Sequence, residues 1–292
     1  MKAPAFDHVK PDSLDEVLRL LQAHGDRARL LAGGQTLLAT LNMRLSEPAL
    51  LIDLNGLEAL RGLQRVGDRL RIGALCTHAQ IEASPLVAEL APLLSLAAPH
   101  IAHRAIRNRG TFGGSIAYGD PAAEWPACLL ALEGEVLLRG PRGERRVAAR
   151  DFFTDLYTTQ RADDEVLVAC ELPIRRPGEQ VVFDELARRH GDYAIVGLAL
   201  AAELHGGRIA RPRLALLGVG SVPVRAPAAE AVLDGRVLDE ALVATAVAAL
   251  RAELQPHADL VNSAATKRHL AGVLAQRALR RLPELAAQAA AA

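Results

Sequence analysis

The stretch TFGGSIAYGDP (residues 111–121) sets two adjacent glycines inside an apolar, strand-like run and closes it with Asp120 and Pro121. Glycine weakens a strand interior, so a pair there marks a sharp bend or a place where something comes close to the backbone. An earlier stretch, LLAGGQTLL (30–38), has the same arrangement: Ala32, Gly33 and Gly34 follow a strand-like segment and precede a helical turn near Gln35 and Thr36. Without Cβ atoms these residues can take positive φ and let a ligand reach their amides. A nest of such amides favours an anion without needing a lysine. Gly113 and Gly114 offer a second nest, with hydroxyls beside it at Thr111 and Ser115. Taken singly, a glycine pair is most often a turn; two nests facing each other suit a diphosphate. Neither loop fits GxGxxG or the P-loop pattern. Asp120 and Glu124 lie just past the second loop, at or within a helix start. There they either offset the helix dipole or accept hydrogen bonds from sugar or ribityl hydroxyls next to a diphosphate.

Outward from these loops the pattern mixes helices and strands. Asp12-Ser13 with Glu16 reads as a capping-box start for a helix ending near Gly25. Strands are expected over 27–32, in ALLIDLNG, in RLRIGALCTH and from Glu165 onward, with a hairpin around Gly140-Pro141. Ser84-Pro85 opens a helix through about Ala98, and 121–132 reads as helical. Pro177-Gly178 is the best boundary. Beyond it, VVFDELARR, YAIVGLALAAEL and RPRLALLGVG read as an antiparallel meander, followed by helices over 239–254 and from Ser263 to about Arg281. The alanine-rich tail is expected to fray. The fold class is α+β, with 1–176 and 177–284 as two domains and 285–292 as the tail.

Bulk properties exclude several functions. The 34 Lys and Arg balance 34 Asp and Glu, which argues against a nucleic-acid protein. No apolar run reaches the ~18 residues of a membrane helix, and the N-terminal stretch lacks the apolar core of a signal peptide; the chain reads as cytoplasmic. Three scattered cysteines give neither a disulfide framework nor iron–sulfur ligands. His100 and His103, with Arg104, Arg107 and Arg109, read as a solvated basic surface or partner contact before a metal site, since no further ligand is close in sequence. No catalytic triad is readable, and no catalytic residue is assigned.

PAFDHVKPDSLDEVLRLL, LLAGGQTLLATLNMRLSEPALLIDLNGL and IRNRGTFGGSIAYGDPAAEWPA together resemble the FAD-binding medium subunit of the molybdenum hydroxylases, of the carbon monoxide dehydrogenase and xanthine dehydrogenase type. The resemblance is collinear over nearly the whole chain. It implies a PCMH-type FAD-binding fold of two α+β subdomains, followed by a C-terminal domain of antiparallel sheet plus helices. It implies that Ala32, Gly33, Gly34, Gln35 and Thr36, with Thr111, Gly113, Gly114 and Ser115, hold the FAD pyrophosphate. Glu124 matches the family's acid near the cofactor hydroxyls, with Asp120 in the same turn. Ile101 and Leu167 match apolar neighbours of the isoalloxazine, and Tyr193 matches a segment that approaches the ring. The implied partners are a 2Fe–2S small subunit and a molybdopterin large subunit in a dimer of heterotrimers, with electrons leaving FAD for NAD, a quinone or another acceptor. Two departures stand out. Ser115 replaces an asparagine common in relatives, and Asp184 stands where xanthine dehydrogenase types carry a lysine on the NAD side of the flavin. The alternatives are a free-standing flavin oxidoreductase and a non-catalytic scaffold.

Overall fold

A computed structural model describes residues 2–291. The chain opens with a three-stranded parallel sheet in the order Asp7–Val9, Leu50–Asp53, Ala28–Leu31. The helix Leu14–His24 covers it with Val17, Leu18 and Leu21; Ser13 caps its start and Gly25, at φ 53°, ends it. The strand Ala28–Leu31 delivers the first glycine loop, and Leu50–Asp53 runs beside it.

A five-stranded antiparallel sheet follows, ordered Leu63–Val66, Arg69–Gly73, Val166–Pro173, Glu135–Gly140, Gly143–Ala148. The expected hairpin is present, with Gly140 facing Gly143. Between the second and fourth of these strands the chain forms a layer of short helices. Several expectations are corrected here. The strand from Arg69 stops at Gly73, because Thr77 and Gln80 form a capping box that starts the helix His78–Glu82. The single helix expected over 84–98 is two, Pro85–Leu90 and Pro92–Ala97. Pro92 has no N–H to continue the first helix, and proline is favoured at the first position of the second.

The strand-like reading of TFGGSIAY is also overturned: Phe112–Tyr118 is a helix. Thr111 is its N-cap, with the hydroxyl accepting from the Gly114 amide at 3.1 Å, and Gly119 ends it at φ 67°. Phe112 and Ile116, one turn apart, are both fully buried.

The last unit is an antiparallel meander, Glu179–Ala187, Ala194–His205, Arg208–Leu217, with a short fourth strand, Val224–Arg225. The turn at Gly206 and Gly207 uses positive φ at both residues. Three helices follow: Pro227–Leu233, which the pattern did not suggest, Glu240–Glu253, and Ala264–Ala291, which continues past the expected end at Arg281.

This sheet is buried on both faces. Val181, Phe183, Ala199, Ala201, Ala215 and Leu217 pack on the helices Pro92–Ala97 and Glu124–Ala131 of the first unit. Alternate residues, among them Val182, Leu198, Leu200, Leu214 and Leu216, pack on the three C-terminal helices. The first face is rich in alanine, so the neighbouring helices can approach closely. Arg213 adds a polar tie, bridging Glu179 in its own sheet and Glu133 of the first unit, the latter at 3.1 Å.

Candidate functional site

The two glycine loops meet. A Cβ on Gly33 would lie 2.1 Å from the carbonyl oxygen of Arg109 and 2.8 Å from the Cα of Gly110. A Cβ on Gly114 would sit 3.8 Å from the Cβ of Ala32. The second loop is fixed from behind: His78 N donates to Gly110 O at 2.9 Å, Phe112 N to Cys76 O at 2.8 Å, and Gly113 N to Ala74 O at 2.9 Å. The first loop is held by Asn55, whose side-chain amide donates to Ala32 O at 2.8 Å while Asp53 accepts from that same amide at 2.7 Å. This strut was hidden in a segment read only as a buried strand.

The glycines therefore answer first to the protein itself. Gly33 admits the Arg109–Gly110 backbone, and Gly113 admits Ala74, whose Cβ would be 2.5 Å away from an added one. Gly34 alone of the four takes positive φ, 73°. Packing the loops this way leaves donors over. Among the described residues, the amides of Gly33, Gly34, Gln35 and Thr36 have no acceptor within the chain, and the loop is half-buried. Four consecutive unpaired amides in a half-buried loop are donors that an anion would satisfy. Gly114 and Ser115 are half-buried on the adjoining helix, but the second nest expected there is not formed: the Gly113, Gly114 and Ser115 amides donate to Ala74 O, the Thr111 hydroxyl and Thr111 O, because the helix cap and the packing on Ala74 take them.

Beyond the second loop the three tyrosines of the chain, Tyr118, Tyr157 and Tyr193, gather around Asp120. The Tyr118 and Tyr157 rings pack at a tilt of 45° with centroids 4.9 Å apart. Gly119 makes this possible, because a Cβ there would be 2.9 Å from Thr159 Cγ2 in the hairpin that carries Tyr157. Tyr193 is 72% exposed, yet its hydroxyl is pushed up to about 12, by desolvation first and then by Asp120 and the other two tyrosines. Asp120 is buried, accepts from Ala122 N at 2.9 Å, and is raised above the usual carboxylate range by burial. Glu124 is buried too, and its carboxyl is pushed up to about 8 by burial, then by Glu185 and Asp120. Only Tyr193 of the three tyrosines was singled out from sequence. In a chain with 3% aromatics, the other two were a signal that went unused.

Ile101 and Leu167 lie in the main core, 8% and 4% exposed. The basic cluster is not all solvated. Arg107 is buried and clamps Glu82 with two bonds, 2.9 and 3.3 Å, while donating to the carbonyls of Ile101 and Ala102 at 3.1 Å. His100 pairs with Glu185, and His103 packs against Gly191. Asp184 is paired with Arg277 of the last helix at 3.1 Å. Two cavities, at the 140–143 hairpin and beside Arg61 and Arg71, are lined by no residue of either loop.

The residues matched by known families follow this architecture. Residues 4–175 match the FAD binding domain in molybdopterin dehydrogenase, and 181–282 match the CO dehydrogenase flavoprotein C-terminal domain. The chain belongs to the FAD-binding subunits of the molybdenum hydroxylases. Among curated relatives, this flavoprotein subunit is 38% identical to the 6-hydroxypseudooxynicotine dehydrogenase complex subunit alpha of Paenarthrobacter nicotinovorans, over 96% of this chain and 95% of the relative. The solved carbon monoxide dehydrogenase from Hydrogenophaga pseudoflava superposes with a TM-score of 0.94 at 38% identity, covering 96% of this chain and 98% of that one. Quinoline 2-oxidoreductase from Pseudomonas putida 86 gives 0.92 at 38% identity over 99% of both. The flavoprotein subunit is thus part of an oxidoreductase, and the family binds FAD. Its relatives are subunits of larger complexes. No described helix is long and apolar enough to cross a membrane.

Behind the second loop, Trp125 Nε1 donates to His78 Nδ1 at 2.9 Å. Burial, then Arg107, lowers the His78 imidazole to about 4 from its usual 6.5, so it is neutral and free to accept. The folded form binds its proton later than the unfolded form does. Its stabilising contribution is therefore complete above pH 6.5 and is lost as pH falls toward 4, on the order of 3 kcal/mol in total. Urea unfolding at pH 7 and at pH 4.5 is expected to show this loss, and His78→Gln is expected to flatten that part of the profile.

Proposed function

We propose that the paired loops hold the FAD diphosphate, with the amides of Gly33, Gly34, Gln35 and Thr36 on one side and Thr111, Gly114 and Ser115 on the other. The observation that carries this reading is the contact of Gly33 with the Arg109–Gly110 backbone, which sets the bend with four free amides edge to edge with the segment that leads into Thr111 and the second loop. Ala32 and Gly113 are the packing residues that make the contact possible. Asp120 and Glu124 face the sugar and ribityl hydroxyls, and Tyr193 covers the flavin ring. Ile101 and Leu167 set the height of the floor beneath it.

When bound, FAD accepts and stores two electrons, which is the chemistry that the side chains here do not supply. The chain binds and orients the cofactor through the loops. It keeps water from the buried side with Phe112, Ile116 and Trp125, and holds a proton on the Glu124 carboxyl at neutral pH. Electrons reach the site from a 2Fe–2S small subunit served by a molybdopterin large subunit, in a cytoplasmic dimer of heterotrimers. They leave to NAD, a quinone or another acceptor. Residues 1–176 form the FAD-binding domain and 177–284 the flavoprotein C-terminal domain.

The purified chain, mixed with FAD and gel-filtered, is expected to retain one flavin per chain by its visible absorbance. Gly114→Val is expected to elute without it. A Cβ there would press to 2.7 Å from the Thr111 capping hydroxyl, and the branches beyond would fill the anion cradle. Equal flavin content in parent and variant defeats the loop assignment. Substrate-driven flavin reduction by the chain alone would make it a free-standing oxidoreductase instead.

A further inference from the structure

Arg107 ends the single helical turn Arg104–Arg107, and its buried side chain reaches back to the segment that enters that turn. Nε and one terminal nitrogen take the two oxygens of Glu82, at 2.9 and 3.3 Å, which already balances the charge. The other terminal nitrogen donates to the carbonyls of Ile101 and Ala102, both at 3.1 Å. Those two carbonyls belong to the peptide groups on either side of the Ala102 Cα. A single donor that draws both together fixes the backbone at Ala102, and only a planar, forked cation can do this while holding a carboxylate. Ala102 sits at φ 43°, a left-handed conformation that a residue with a Cβ rarely takes. Such a conformation persists only where the surroundings impose it. The turn it makes carries the chain against the second unit. A Cβ on Gly191 would lie 2.7 Å from His103 Cε1 and 3.1 Å from Ala102 O, and Gly191 itself is at φ 83°. Tyr193 is two residues further on, and Ile101 is the residue before the turn.

We propose that Arg107 is a positioning residue for the cofactor ring: by pinning both peptides around Ala102 it sets Ile101 against the Gly191–Tyr193 segment, and so the spacing into which a flat conjugated ring fits. That the ring is a flavin rests on the FAD reading above. Arg107 touches no reacting atom in this role. It acts through Ala102 and His103 on a segment of the other domain, more than eighty residues away in sequence. The basic cluster ahead of the second glycine loop thereby divides in two: Arg104 is exposed, and Arg107 is part of the frame.

Two measurements on the full chain test this. In the flavin-free chain, amide hydrogen exchange read by mass spectrometry is expected to rise in Arg107→Met over 99–103 and also over 188–193, while the Gly206–Gly207 turn exchanges as in the parent. Arg104→Met is the control and is expected to leave both segments unchanged. Ala102→Val keeps the guanidinium but puts a branched side chain where φ is positive, and is expected to reproduce the Arg107→Met result. In the FAD-loaded chain, both variants are expected to bind FAD about tenfold more weakly, the scale of one lost charged hydrogen bond. The fluorescence of the flavin they retain is expected to be brighter than in the parent, because a phenol held on the ring quenches it. If Arg107→Met does not fold, Ala102→Val decides. Exchange over 188–193 that stays at the parent level overturns the proposal, and so do raised exchange and an unchanged flavin affinity and brightness found together. If the parent holds no flavin at all, the FAD reading falls, and the exchange arm alone decides whether Arg107 positions the Tyr193 segment.

Discussion

A chain carrying Gly33→Ala is expected to purify with its secondary structure largely intact and with no bound flavin. The added methyl would lie 2.1 Å from the Arg109 carbonyl oxygen, closer than any non-bonded pair of atoms can stand. Nothing flexible is available to yield, because the opposing atoms are backbone. The 109–110 segment is itself held by the bond from His78 N to Gly110 O and by the cap at Thr111. The loops must part. The strain of such overpacking is about 1–3 kcal/mol, which the fold can absorb. The proposed grip on a diphosphate from both sides cannot absorb it, because every 1.4 kcal/mol lost is roughly tenfold in affinity. Gly220→Ala is the control, since the nearest atom to a Cβ there is 3.7 Å away. Equilibrium dialysis against FAD reads the difference. Unchanged affinity in Gly33→Ala would mean that the loops need not touch for the cofactor to bind.

The second large effect is on stability. Trp125→Ala is expected to lower the unfolding free energy by about 3–5 kcal/mol, a large part of the 5–15 kcal/mol typical of a domain. The indole is fully buried, its ring centroid is 5.4 Å from Phe112, and its N–H is the donor to His78. Removing it opens a cavity directly under the helix that carries the second glycine loop, so flavin content should fall along with stability. Trp125→Phe keeps most of the volume and removes the donor, at an expected cost of about 1–3 kcal/mol. Trp125 is the single tryptophan of the chain, so circular dichroism in urea is the suitable probe. A loss below 1 kcal/mol in the alanine variant would show that the site does not depend on this packing.

Much of the architecture is legible in the residues because it is written in local chemistry. Ser13, Ser84 and Asp239 each cap the helix that their position announces, and the C-terminal strands alternate their apolar residues between two faces as a half-turn period requires. What was misread depended on partners distant in sequence. Thr111, the i, i+4 pair Phe112 and Ile116, and Gly119 are a complete helix signature. The glycine pair obscured it because Gly113 is small for the sake of Ala74, a neighbour that no sequence window around it contains. The segment Glu124–Ala131 is buried all round, so it carries no amphipathic stripe to show which side meets which core. The gathering of Tyr118, Tyr157 and Tyr193 depends on a hairpin and a sheet edge brought in from elsewhere in the chain. The strut from Asp53 through Asn55 to Ala32 likewise joins positions more than twenty residues apart in sequence.

The shared sheet has a practical corollary for anyone cutting this molecule apart. A protease nick at Pro177-Gly178 would sever the covalent link without releasing either fragment, since the alanine-lined face and the Arg213 bridge still bind the pieces together. Expressed by itself, the C-terminal fragment would present that greasy face to solvent and invite aggregation, so the two halves have to be inherited, made and degraded as one.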